Sequence, residues 1–364
     1  MSTLLNWILI AVGICGMFLI LIAPHEGGHF LAAKLFKVRV IEFSVGAGPK
    51  LLSFVSGGTL YALRAFPILG YVRMGGMEEG DFAEPNGFHS KHPLQRIGIL
   101  AAGPIVNFLV AMVLIAGLFM TQLNSVPGLV AGVVPTWAVN GQTVQTPAAA
   151  AGLQSGDRIR VVNGTPVTAP DTIQKVESAS PGQPLVISGT HADGKPFTVS
   201  LTPVCTDGVC RIGVQVAPIV TPLAAVQEGV SFPFKAVQGT VQGISALING
   251  QVKGGLLGPQ GLTGPIGIGV ITAQSVGQGP ATYIWLVALL SVALGFTNLL
   301  PLLALDGGRI VVVVVEWLRR RPFDRDSELN FQRWGLVALL ALAAVISFLD
   351  LQRWVTGQFT GIHQ

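Results

Sequence analysis

The chain has 364 residues, of which 50% are apolar and only 11% charged, with a mean hydropathy of +0.62 and a net charge of +4. A soluble domain carries about 25% charged residues, so the composition excludes an ordinary soluble globule and defines a membrane protein with room for several spans and one soluble domain. Basic residues are spread along the chain rather than gathered into a patch, which argues against a nucleic-acid partner.

From the N-terminus, residues 4–24 form the first apolar run. About 20 such residues cross a hydrocarbon layer. Met1–Trp7 contains no Lys or Arg, and no small-x-small cleavage site precedes His25, so the run reads as a retained span rather than a secretory signal. It stops at His25-Glu26-Gly27-Gly28-His29. On a helix His25 and His29 share one face and can bind one metal ion. Glu26 sits one position round, near enough to work on a metal-bound water without being a ligand. The plain alternative is two histidines solvated at a membrane boundary. Pro24 cannot donate its backbone N–H, so either the helix bends before the motif or a new turn starts there.

Residues 31–95 are short, Gly-rich and mixed. Phe43–Phe54 and Thr59–Val72 alternate weakly between glycines and predict a β-hairpin region. Glu78-Glu79-Gly80-Asp81 reads as a solvated acidic loop. Residues 97–120 form the second span, carrying Gly103-Pro104 and Asn107. A Gly-Pro in a span is tolerated where neighbouring helices satisfy the backbone, and Asn107 reads as a polar tie between helices rather than a catalytic group.

Residues 127–220 change character. They are polar and rich in Gly, Pro and Thr. Short β-type runs at Leu129–Val134, Arg158–Val162, Leu185–Gly189, Phe197–Leu201 and Arg211–Val216 are separated by turns such as Asn163-Gly164. If Asp207-Gly208 is a two-residue turn, Cys205 and Cys210 face each other across a hairpin, as a disulfide or as two thiols. Cys15 is a small hydrophobe within the first span. Beyond this domain, Phe232–Ile248 predicts an amphipathic helix on the membrane, and Gly254–Gly269 predicts a surface loop. Residues 282–305 form the third span, with Asp306 at its end. Ile310–Val315 reads as a helix continuing to the surface, and residues 334–349 form the fourth span, anchored by Arg353 and Trp354. The resulting division is 1–126 and 281–364 for the two halves of a membrane core, 127–220 for the inserted domain, and 221–280 for an amphipathic segment.

Charge sets the orientation. Residues 31–96 hold eight Lys/Arg and residues 306–333 hold six, against seven in the much longer 124–280 segment. The positive-inside rule places both basic loops in the cytoplasm and the inserted domain and both termini outside. Glu26 and Asp306 then abut their spans at one depth, near the cytoplasmic side. A carboxylate in the bilayer costs roughly 2.5–3.5 kcal/mol unless it is paired or metal-bound. His25, His29 and Asp306 would make a three-ligand zinc site with an open fourth position, the catalytic arrangement. Pairing of Asp306 with Arg309 is the alternative.

His-Glu-Gly-Gly-His at 25–29, with Asn298-x-x-Pro301 and Leu305-Asp306-Gly307 far downstream, resembles the site-2 protease family of intramembrane zinc metalloproteases. The likeness covers nearly the whole chain: Glu42–Lys50, the membrane-dipping hairpin at Tyr61–Met74, Gly103-Pro104-x-x-Asn107-Phe108 and Gly264–Ile268 all resemble family segments. Ala149–Gly164 is similar to a bacterial PDZ domain. The fold so implied is a polytopic α-helical membrane protein of four transmembrane helices, with a membrane-associated β-hairpin region and one inserted extracytoplasmic PDZ domain, in a bacterial plasma membrane.

The resemblance implies Zn2+ as cofactor, His25, His29 and Asp306 as ligands, and Glu26 as base. Asn298 would hold substrate backbone or oxyanion, and Gly46, Gly48 and Tyr71 would contact substrate. It further implies single-span membrane proteins as substrates, such as anti-sigma factors after a first external cut or remnant signal peptides. A peptide or protein C-terminus would bind the PDZ domain, and the lipid bilayer is the remaining partner. An inert PDZ scaffold is the alternative, as is a metal-binding membrane protein. The scaffold predicts degraded ligands, whereas all four key residues are present; a transporter predicts an internal repeat, and none is visible.

Overall fold

A computed structural model describes residues 3–77, 84–139, 142–206, 209–252, 255, 258 and 261–356. The acidic stretch expected at Glu78–Asp81 lies outside the described residues. Two units partition the chain: Met1–Leu118 with Val226–Gln364, and Phe119–Ala225. Four helices of the first unit are long and apolar enough to cross a membrane, over Leu4–Leu35, Pro93–Met120, Pro280–Leu299 and Asp326–Val355.

Helix α1 (Thr3–Leu35) runs through Pro24 into and beyond the histidine motif. The proline removes one intrahelical donor, leaving the Ile20 carbonyl unpaired within the helix, but it does not end the helix. The first span is therefore longer than residues 4–24. After a left-handed Lys37, β1 (Val40–Ser56) and β2 (Thr59–Met74) form one long hairpin that folds back on itself. Phe43 pairs with Tyr61 on one side and with Val72 on the other. Gly70–Met74 is consequently an edge segment. The far end of the hairpin exposes Leu51, Leu52, Phe54 and Val55, an apolar tip of the kind a membrane-dipping hairpin presents.

Helix α2 (Pro93–Met120) opens with proline at its first position, where the missing N–H costs nothing. The 3-10 turn Phe88–Ser90 before it packs Phe88 into the same small core as Ile99 and Leu100. Helices α5 (Pro222–Ile248) and α6 (Pro265–Gln278) lie between the inserted unit and the third span; the numbering between them and α2 belongs to that unit. The loop expected over Gly254–Gly269 thus ends at Pro265. Glycines disfavour a helix there, but the buried Asp350 carboxylate accepts the Gly264 and Gly267 N–H groups, both at 2.8 Å, and so caps the first turn.

Helix α7 (Pro280–Leu299) ends earlier than the sequence suggested, and α8 (Asp306–Arg319) is a separate helix rather than a continuation. The 300–305 turn between them bends at Pro301. Helix α9 (Arg325–Val355) starts nine residues before the expected span because Asp324 caps it, accepting from the Ser327 N–H at 3.0 Å.

In the second unit, β3 (Val130–Val133) pairs with β12 (Val214–Val216), and β4 (Thr136–Val139) with β5 (Gln142–Gln145). A four-stranded sheet runs in the order β7 (Thr165–Pro166), β6 (Arg158–Val162), β8 (Leu185–Thr190), β9 (Pro196–Leu201). The short helices α3 (Pro147–Ala150) and α4 (Thr172–Ala179) close a core of Val130, Ile159, Val162, Leu185, Ile187 and Ile212. β10 (Val204–Thr206) and β11 (Val209–Arg211) form a hairpin joined by a Cys205–Cys210 disulfide. The run expected over Arg211–Val216 is split by Gly213, whose φ of +92° and close approach to Thr146 exclude a side chain.

Glu177 of α4 is 6% exposed, and its carboxylate accepts the Ile212 N–H at 3.3 Å. Burial pushes this carboxyl up to about 7, against the weaker pull of Ile212 and Arg211. The raised value means that its contribution to stability is complete below the unfolded pKa and is lost as pH rises through about 7. Glu177→Gln keeps the acceptor without the charge. Thermal unfolding should show it stabilising the unit at pH 8, by up to about 3 kcal/mol, and doing little at pH 5.

Candidate active site and metal centre

His25 and His29 sit one turn apart on α1, both buried, with rings edge to face at 4.8 Å between centroids. Asp306, the first residue of α8, meets them. The turn before it is tight: a methyl group at Gly307 would strike the Leu299 and Leu300 carbonyls, and one at Gly308 the Leu302 carbonyl. These two glycines, with Pro301, fold the chain back so that the aspartate reaches the histidines. A buried ion pair, Arg96 Nη1 to Glu316 Oε2 at 2.8 Å, ties the start of α2 to α8 and fixes the helix that carries Asp306. Breaking such a pair leaves an uncompensated charge, so it holds the two elements in register.

The three donor atoms are mutually close. His25 Nε2 lies 3.2 Å from His29 Nε2, and Asp306 Oδ2 lies 3.4 and 3.3 Å from the two nitrogens. Zinc bonds to nitrogen and oxygen at about 2.0–2.1 Å, for which the edge of a tetrahedron is about 3.3 Å. The residues present therefore fit a zinc ion on three corners, with the fourth left for water or substrate. His29 supports the same conclusion: its Nδ1 is 2.8 Å from the Ile99 carbonyl oxygen. A carbonyl only accepts, so Nδ1 carries the proton and Nε2 has its lone pair free for metal.

Helix α2 supplies this support by lying close against α1. A methyl group at Gly103 would overlap the His29 ring, and one at Gly28 would come within 2.5 Å of the Ala102 carbonyl oxygen. Asn107 Nδ2 lies 3.2 Å from His25 Nδ1.

A cavity of about 920 Å3 opens beside the cluster. Glu26 lines it, with its side chain against Gly70: a methyl group there would come within 2.9 Å of Glu26 Cγ. The edge segment Gly70–Met74 lines it too, as do Asn298 on the last turn of α7 and the apolar Met17, Phe18, Leu21 and Leu290. Of the sequence-nominated residues, the structure brings His25, Glu26, His29, Asn298, Asp306 and the Tyr71 backbone segment to this cavity. The Tyr71 hydroxyl is occupied elsewhere, donating to Glu42 and receiving from Arg64. Gly46 and Gly48 are not among the lining residues; with φ of +97° and +82° they shape the bend of β1. Sequence reasoning missed Ile99, Gly103 and the Arg96–Glu316 pair. A carbonyl contact leaves no trace in residue type, and only the Gly-Pro at 103–104 hinted that a neighbour comes close.

A buried group able to hold a metal ion, in a unit with helices long and apolar enough to cross a membrane and with Glu26 beside it, is the arrangement of a membrane metallohydrolase. Comparison with known proteins makes this particular. The chain belongs to Peptidase family M50, which it matches over residues 13–342. As a member it is a zinc-dependent peptidase. It is 32% identical to an inferred zinc metalloprotease of Fusobacterium nucleatum, over 94% of this chain and 98% of that one. It is 29% identical to another of Clostridium perfringens, over 92% and 96%. Identity to the zinc metalloprotease RasP of Bacillus licheniformis is 28%, over 97% and 99%.

Proposed function

We propose that the protein cuts single-span membrane proteins within their apolar segments, using His25, His29 and Asp306 to hold zinc. The observation that carries this reading is the set of three donor atoms 3.2–3.4 Å apart, two of them on a membrane-length helix and the third at the start of α8. When bound, zinc supplies a Lewis acid and a water whose pKa falls to about 7. Glu26 takes a proton from the attacking water and returns it to the leaving amine. Asn298 donates from its amide to the oxyanion that develops on the scissile carbonyl. Gly70–Met74 is the outer segment of its sheet among the described residues, and an extended substrate adds beside it as a further strand. This requires the substrate helix to unwind, because helical peptide groups are already paired.

Positive-inside charge supports a centre near the cytoplasmic face and a 119–225 unit outside. The Cys205–Cys210 disulfide supports that side. The unit's β-rich core and the Ala149–Gly164 stretch support a PDZ-type peptide-binding role. Anti-sigma factors trimmed externally and remnant signal peptides are the substrate classes that fit.

The test is cleavage of a reporter with one apolar span, with the cut located by mass spectrometry. Placing Gly, Asn or Pro near the centre of the span should raise the rate, and the cut should fall inside it. Cleavage confined to soluble peptides, with the span intact, would overturn the reading.

A further inference from the structure

His29 is oriented by a main-chain carbonyl, but the structure gives His25 no such partner. What faces its Nδ1 is the amide of Asn107, fully buried, with Nδ2 at 3.2 Å. Two facts hold this amide in place. The Asn107 main-chain carbonyl accepts the Ser291 hydroxyl from α7 at 2.8 Å, and Gly295 lets α7 approach until a methyl group would sit 3.3 Å from the Asn107 Cβ. The far amide atom, Oδ1, has no partner among the described residues.

An amide N–H pointing at Nδ1 would need a lone pair there, which puts the ring proton on Nε2, the atom that faces His29 and Asp306. That tautomer cannot ligate through Nε2. Turning the amide end for end replaces Nδ2 by Oδ1, which accepts a hydrogen bond from Nδ1–H and leaves the Nε2 lone pair free. On the far side the exchange breaks no hydrogen bond, because Oδ1 has no partner there among the described residues. Amide orientation follows from the hydrogen-bond network, and here ligation at Nε2 decides it.

We infer that Asn107 is a positioning residue for the metal centre: its Oδ1 accepts from His25 Nδ1–H and holds the imidazole in the tautomer that ligates through Nε2. The pair of histidines then has two orienting acceptors, both from α2: the Ile99 carbonyl for His29 and the Asn107 side chain for His25. The inference rests on the zinc reading above and adds a residue that is neither ligand nor base. Removal of such outer partners elsewhere lowers metal affinity about 10–100-fold.

The test is zinc affinity of the purified full-length protein in detergent at pH 8, measured by competition with a chromophoric chelator. Asn107→Leu should bind zinc about 10–100-fold more weakly than the wild type. Asn107→Asp offers an acceptor and no donor, so it should bind at least as tightly as wild type. The Asp variant decides even if Leu fails to accumulate: were Nδ1 a bare lone pair, the carboxylate would repel it and weaken binding. Weakening by Asp as much as by Leu would reduce Asn107 to a helix tie and overturn the inference, as would Leu binding like wild type. Absence of zinc from wild type would instead refute the metal site itself, an outcome distinct from these.

Discussion

Glu26→Gln should lower cleavage of a membrane reporter at least 100-fold while leaving bound zinc unchanged. Glutamine keeps the shape of the side chain against Gly70 and so keeps the cavity. What it loses is the ability to take a proton. Positioned general acid–base groups contribute about 10²–10⁴-fold, and no second carboxylate among the described residues lines the cavity apart from Asp306, which is committed to the histidines. Cleavage and zinc content measured on one preparation check this. A fall in both would mean that Glu26 is a ligand or a structural residue.

Gly103→Ala should abolish zinc binding and cleavage together, although the substitution is among the mildest available. In an ordinary helix interior, alanine in place of glycine stabilises by up to about 1 kcal/mol. Here the added methyl would overlap the His29 ring near Nε2, the atom proposed to bind zinc. The α1–α2 approach cannot widen cheaply, because Gly28 brings the backbones into contact at the same level, against Ala102 and Gly103. Gly117, on the same helix, has nothing within 4 Å of an added methyl, so Gly117→Ala should be neutral in both assays. Loss of activity in both variants alike would point to a general effect on α2 rather than to crowding of His29.

The cluster of His25, His29 and Asp306 was legible in the sequence because its signal is chemical. Histidines four apart on one helix face, and an isolated aspartate at the matching depth, leave few alternatives once the apolar runs are laid out. The inserted β domain was legible for the same kind of reason: its composition breaks with the segments on either side. Helix ends were harder to read. α6 begins inside a glycine-rich stretch because Asp350, from a helix far along the chain, supplies the cap. α7 stops at Leu299, although apolar residues continue to Leu305, because Pro301 and two glycines turn the chain. Hydropathy cannot see that turn. The contacts that orient the two imidazoles were the least visible, since one is to a backbone carbonyl and the other is to an asparagine whose type alone fits a helix tie equally well.

His25, His29 and Asp306 together are expected to hold one zinc ion. Metal analysis of the purified protein tests it most directly, comparing wild type with Asp306→Ala after dialysis against a weak chelator. The expected result is close to one zinc per chain for wild type and near zero for the variant. Equal zinc in both, or none in either, would contradict it.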